Sequence, residues 1–220
     1  MRTSVVALSA ILVAAATANA VPTTFASRAA WELALGGSPA YTVDFSSFVV
    51  DTSFQVAAVD AGPFSLQQAG PTVFRNVVDV TPFMFADNNG TAHASMYTNA
   101  GETTVNLSLD SPLTAWGADF YAAGTGEGLT LALFRPDSTL IGLLDVPGGA
   151  SVFFGFTLDP GDTLGSIVFQ STTAQAGSAG EGFGLDNVSG AAVPEPSTIA
   201  LVGAGLLALG RRRRRTARLL

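Results

Sequence analysis

Between Leu129 and Val146 the chain holds two short apolar runs, Leu129–Arg135 and Leu140–Val146, joined by Pro136-Asp137-Ser138-Thr139. Proline fixes φ and withdraws a backbone donor, and Asp and Ser side chains bond nearby backbone, so these four residues spell a turn. Runs of this length flanked by turn residues suit strands and are too short for core helices. The same punctuation recurs from Tyr41 onward. It predicts strands near Tyr41–Phe45, Ser53–Val59, Thr72–Val80, Phe83–Phe85, Ala92–Tyr97, Thr103–Leu109, Ala115–Ala122, Ala150–Thr157, Leu164–Gln170 and Gly184–Val188. A chain so divided is all-β.

One segment departs from that pattern. Ser27 is placed to cap a helix over Arg28-Ala29-Ala30-Trp31-Glu32-Leu33-Ala34-Leu35, and Gly36-Gly37 stop it. Helical spacing turns Trp31, Leu35 and Phe25 towards the core rather than leaving the tryptophan as a sugar platform. Two stretches, Asp60–Gly70 and Thr172–Gly182, carry Gly, Pro, Ser and Ala without clear periodicity and read as mobile loops.

The ends of the chain carry addresses. Arg2, the apolar stretch Val5–Ala16 and Ala18-Asn19-Ala20 have the layout of a secretory signal peptide, with cleavage expected after Ala20. At the other end, Pro194-Glu195-Pro196 must be extended and exposed, since two prolines remove donors and exclude helix. The apolar segment Thr198–Leu209 follows, then Arg211, Arg212, Arg213, Arg214 and Arg215. A helix from Ser197 through Gly210 reaches about 21 Å against a hydrocarbon core of about 30 Å. Snorkelling arginines and local thinning close such a gap, and the positive cluster places the C-terminus in the cytoplasm.

Taken together, the Pro-Glu-Pro box, the short apolar helix and the terminal arginines resemble the PEP-CTERM sorting signal of exopolysaccharide-producing Gram-negative bacteria. The resemblance implies signal peptidase and then an exosortase as processing enzymes. It also implies a membrane-anchored precursor and release to the cell surface or extracellular matrix. An ordinary permanent anchor of a periplasmic protein is the competing reading of the same residues. The pieces Thr42-Val43-Asp44-Phe45, Trp116-Gly117-Ala118-Asp119-Phe120, Val152-Phe153-Phe154-Gly155-Phe156, Ile167-Val168-Phe169 and Phe183-Gly184-Leu185-Asp186-Asn187-Val188 resemble a β-sandwich ectodomain that recurs upstream of such tails and is similar in shape to jelly-roll carbohydrate-binding modules. The expected architecture is a jelly-roll-like antiparallel β-sandwich with one short N-terminal helix, over residues 21–190. A signal peptide (1–20) and a linker, sorting signal and transmembrane helix (191–220) flank it.

Charge then bounds the chemistry of the exported region. Between Val21 and Ala192 there are sixteen acidic residues against Arg28, Arg75 and Arg135, a net charge of −13, and the whole chain has neither lysine nor cysteine. Such a surface repels nucleic acid. Thiolate chemistry is excluded, and one histidine without cysteine cannot furnish the usual zinc ligand set. That histidine, His93, lies in a predicted strand without a serine-elbow motif nearby, which argues against a catalytic triad. Gly124–Gly128 and Gly180–Gly184 do not fit a nucleotide-binding glycine pattern.

Carboxylates remain. Glycoside hydrolysis needs two acids about 5 to 10 Å apart, and Asp119, Glu127, Glu181 and Asp186 are the candidates. Calcium takes six to eight oxygens, and Asp87–Thr91 or Asp186-Asn187 offer such groups. The alternatives are an Asn-Gly hairpin turn and a strand-end turn respectively. In jelly-roll modules the first and last strands can be adjacent, so Asp44 is expected to approach Asp186 and Asn187 around one structural calcium. No cofactor is required otherwise. The sequence therefore describes a non-enzymatic exported β-domain that associates with exopolysaccharide or with copies of itself. A two-carboxylate polysaccharide hydrolase is the alternative.

Overall fold

The computed structural model describes residues 21–71, 76–81, 91–124, 127–172 and 180–192. The expected signal peptide, the strand at 83–85, residues 87–90, residues 173–179 and everything from Val193 onward lie outside the described residues. Among the described residues no helix is long and apolar enough to cross a membrane.

In chain order the elements are β1 (Thr23–Phe25), α1 (Arg28–Leu35), β2 (Tyr41–Val43), β3 (Thr52–Ser53), β4 (Val59–Asp60), β5 (Phe64–Ala69), β6 (Val77–Asp79), β7 (His93–Thr98), β8 (Thr104–Leu113), β9 (Ala115–Tyr121), β10 (Leu129–Phe134), β11 (Leu140–Val146), β12 (Ser151–Thr157), β13 (Leu164–Ser171) and β14 (Glu181–Ala191). They form two antiparallel sheets. The larger runs β1-β12-β9-β14-β7-β6-β3, with β2 also beside β14; the smaller runs β11-β10-β13-β8-β5-β4. From β7 onward the chain passes between sheets at nearly every connection. The predicted hairpin is β10–β11, closed by Arg135 N–H donating to Thr139 O at 2.8 Å.

Strand alternation builds the core. Trp116, Phe120 and Phe183 of the larger sheet and Phe169 of the smaller are fully buried. Phe169 meets Trp116 at 6.2 Å and Phe183 at 5.8 Å between ring centroids, within the range of productive aromatic pairing. The two inner faces thus interlock as a sandwich.

Helix α1 lies against the other side of the larger sheet. Its N-cap position is Ser27, without a side-chain capping bond, and Gly36 closes it in the left-handed conformation (φ 71°). Trp31 is fully buried in a second, small cluster with Ala115 and Ala191, flanked by Phe25, Leu35 and Phe153, and its Nε1 donates to Phe156 O at 3.1 Å. Gly117 and Gly155 face each other beneath this cluster. A Cβ on Gly155 would stand 2.8 Å from Phe153 Cζ and 3.1 Å from Trp31 Cδ1, so the paired glycines provide the slot into which the helix settles.

Several expectations are corrected. Glu181 and Gly182, expected within a mobile loop, open β14 opposite Thr98 and Tyr97, and Ala191, expected in a linker, closes that strand opposite Ala115. Asp60–Gly70 is not a loop: Phe64–Ala69 forms β5, fully paired with β8. Phe64, Leu66 and Gln68 point inward, and buried Gln68 donates to Pro71 O at 2.9 Å and accepts from Asn76 Nδ2. The inward polar residue hid the alternation. Conversely, the run Ser53–Val59 is broken into two-residue β3 and β4 by bends at 55–57.

Candidate functional site

Strand register sets four titratable side chains in one row on the outer face of the larger sheet. Asp79 faces His93, Leu185 faces Ala94 so that Asp186 comes level with His93, and Asp186 faces Asp119. Ala94 and Leu185 belong to the core; their neighbours along each strand therefore point the other way. The row is closed in: Asp79, His93 and Asp186 are at most 2% exposed.

Its best-defined part is at Asp119. Arg28 Nη2 pairs with Asp119 Oδ1 at 3.2 Å and donates to Asn187 O at 3.0 Å, while Nη1 donates to Ser189 Oγ at 3.0 Å. The guanidinium also lies 4.7 Å over the Phe153 ring, a cation–π distance. Asn187 Nδ2 donates to Asp119 Oδ2 at 3.0 Å, and Asn187 N–H to Asp186 Oδ1 at 2.7 Å. This geometry exists because β14 bulges. Asn187 and Val188 together oppose one residue of β9, and Asn187 sits at φ 49°, the left-handed region that Asn tolerates better than most residues.

His93 Nε2 lies 3.1 Å from Ser95 Oγ and Nδ1 3.3 Å from Thr91 O. A carbonyl only accepts, so the Nδ1 contact uses a proton on that nitrogen, while the Ser95 hydroxyl can either donate to Nε2 or accept from it. Histidine and serine two apart on a strand share a face, and the His-x-Ser spacing was the signal that the elbow criterion passed over. Both side chains are shut from solvent, which gives a substrate no approach to the hydroxyl.

The four candidate acids separate into two places. Asp119 and Asp186 form the cross-strand pair just described. Glu127 and Glu181 lie at one end of the sandwich, where Glu127 accepts from Ala100 N–H at 3.3 Å and Glu181 from Gly128 N–H at 3.1 Å. Each is engaged by backbone. The carboxylates of Glu127 and Glu102, after burial itself, raise the Tyr97 hydroxyl above its ordinary range.

The residues expected around calcium have distinct surroundings. Strand β2 does pair with β14, Val43 facing Val188, which brings Asp44 to the end of the neighbouring strand. Its carboxylate turns to Ser46, accepting from Oγ at 2.7 Å and N–H at 3.1 Å; these bonds hold it below the usual carboxylate range. Asn187 instead donates to Asp119, and Asp186 accepts from Asn187 N–H and, at 3.4 Å, from Thr91 Oγ1. Among the described residues no group of three or more acidic or histidine side chains is placed to hold a metal ion.

The outer face of the smaller sheet differs in character. Ser65, Ser108 and Ser166 form one cross-strand row, and Gln67, Asn106 and Val168 the next. Apart from Val168 these are uncharged donors and acceptors; Asp60 lies opposite Ser65 at one sheet edge, and towards the other the rows run through Phe134 and Ala132 to the exposed Leu140 and Leu143. Ser65 and Gln67 were invisible to sequence reasoning because their strand was.

Fold and site together define an all-β, two-sheet domain whose last strand ends one residue before a C-terminal sorting sequence. Residues 192–215 match the PEP-CTERM protein-sorting motif, and the chain carries that motif. No curated protein matches the chain in sequence. Among solved structures, a family 29 carbohydrate-binding module mutant is similar at 15% identity over 65% of this chain and 92% of its own, with a TM-score of 0.38. Another mutant of that module, complexed with mannohexaose, is similar at 16% identity over 65% and 92%, TM-score 0.37. The enzymatically active domain of bacteriophage CBA120 tailspike protein 4 is similar at 16% identity over 59% of this chain and 19% of that one, TM-score 0.34. At these scores the overlap is loose, and no residue's role is carried across.

Proposed function

We propose that this chain is an exported surface or extracellular-matrix protein, made as a membrane-anchored precursor and cut at its sorting motif by an exosortase. Its β-domain then acts without catalysis, by association with exopolysaccharide or with other copies of itself. The observation that carries the reading is the placement of the motif: β14 is hydrogen-bonded through Ala191 and the motif begins at Ala192. A complete domain precedes the signal, as release requires. Support for a binding role comes from the candidate chemical groups. Asp119, Asp186, Glu127, Glu181 and His93 all serve as hydrogen-bond or ion-pair partners within the fold. The uncharged amide and hydroxyl face of the smaller sheet suits a hydroxyl-rich polymer better than the surrounding acidic surface does.

Intact masses of the protein from membrane and medium fractions of the native host test this. A released form ending between Val193 and Pro196, lost when Pro194, Glu195 and Pro196 are all changed to alanine, is expected. A sole membrane form retaining Arg211–Arg215 would mean a permanent anchor. Saturable retention of the released domain on host exopolysaccharide, without new reducing ends, is the second expectation; product formation abolished by Asp119→Asn or Glu181→Gln would establish a hydrolase instead.

A further inference from the structure

Thr23 faces Thr157, Thr157 faces Ala115, and Ala115 faces Ala191. These residues form one row across four consecutive strands, β1, β12, β9 and β14. The first residue of the first strand and the last residue of the last strand therefore stand at the same end of the sandwich, three strand spacings or about 14 Å apart.

The consequence lies in what is attached there. The apolar segment Thr198–Leu209 begins seven residues after Ala191, and the apolar stretch Val5–Ala16 ends seven residues before Thr23. Seven residues reach at most about 25 Å. The C-terminal attachment point cannot be extended by unzipping a free edge: β14 is paired with β9 on one edge and with β7 and β2 on the other. Its last residues stay bonded, Gly190 O accepting from Ala40 N–H at 2.9 Å and Ala191 O from Thr114 N–H at 3.1 Å. Ala191 is itself packed in the Trp31 cluster.

We propose that the precursor stands end-on to the membrane, with this end of the sandwich facing the lipid headgroups. The facing surface comprises the Ser38–Ala40 segment, Thr114 and the turn around Pro160. The opposite end, at the Asn99–Glu102 turn and Ala150, lies a further ~33 Å away, the length of an eleven-residue strand such as β14. The proposal rests on the reading of the C-terminal segment as a membrane anchor. It goes beyond that reading by fixing the domain's orientation.

Because the chain has no cysteine, single cysteines report position directly. Ser38→Cys, Pro160→Cys, Glu102→Cys and Ala150→Cys are introduced one at a time into the full chain with Pro194, Glu195 and Pro196 changed to alanine. Each is labelled with a fluorophore and reconstituted in vesicles whose lipid headgroups carry a quencher. Quenching at positions 38 and 160 that exceeds quenching at 102 and 150 several-fold is expected. Vesicle-bound protein quenched equally at all four positions, or more at 102 and 150, would overturn the orientation while leaving the anchor intact. Protein that stays in the supernatant, unquenched at every position, would overturn both.

Discussion

Arg28 and Asp119, 91 positions apart in the chain (119 against 28), meet at 3.2 Å with both side chains about three-quarters shielded from solvent. The guanidinium ties α1 to both strands of the bulge, since it also reaches Asn187 O and Ser189 Oγ. Among the described residues it is the ion-pair partner of Asp119, the carboxylate that faces Asp186 across the two strands.

Arg28→Ala should therefore destabilise the domain by about 2 kcal/mol, the scale of a partly buried charged hydrogen-bond network losing its centre. Arg28→Lys should recover only part, because an ammonium cannot bridge three acceptors while lying over Phe153. Urea unfolding of the three proteins measures this; equal midpoints would show that the helix holds by Trp31 alone.

Among the described residues the buried hydroxyl of Tyr41 finds no hydrogen-bond partner, and burial, with the Asp110 charge second, drives its pKa far above the ordinary tyrosine value. Tyr41→Phe removes an unsatisfied polar atom and keeps the ring's contact with Phe64. Stability is expected to be unchanged or up to about 1 kcal/mol higher. A loss of that size in thermal unfolding would mean that the hydroxyl is satisfied in solution.

Asp44 is held below the usual carboxylate range first by the Ser46 hydroxyl and then by the Ser46 N–H. A carboxyl depressed in the folded state stabilises above its unfolded pKa, and that contribution disappears as pH falls through the folded value. Ser46→Ala should raise the Asp44 pKa without restoring it fully, because the backbone donor remains. Carboxyl-carbon NMR titration checks the direction; an unaltered midpoint would assign the depression elsewhere.

Ala192 and Val193 are all that separate the last strand residue from Pro194. Deleting both should slow exosortase processing, because a central strand cannot peel away to give a protease room, whereas adding four Gly-Ser residues after Ala192 should leave it unchanged or faster. The ratio of precursor to released protein on immunoblots reads the effect. Unimpaired processing of the deletion would show that the enzyme accepts a site against the folded domain.

Much of this molecule was legible one strand at a time. Leu140–Val146 carries its boundaries in its own alternation and flanking turns, and the helix Arg28–Leu35 carries its stop in Gly36, because side-chain period and turn chemistry are local properties. The sorting motif, being a linear signal, was equally readable. Strand β5 was not, since Gln68 is buried only by virtue of partners at Pro71 and Asn76 that a local pattern does not announce.

What the amino-acid order determined alone was the all-β class, the helix with Trp31 turned inward, the acidic exported region and the address at residues 192–215. What the tertiary structure decided was assembly: which carboxylates face each other, that His93 faces Asp79, that Arg28 belongs to Asp119, and that Thr23 and Ala191 share one end. Each of the latter depends on register between strands distant in sequence. A shift of one residue, such as the bulge at Asn187, sends the following side chains to the opposite face. Local periodicity fixes which faces a strand has, but only the packed sheets fix what those faces meet.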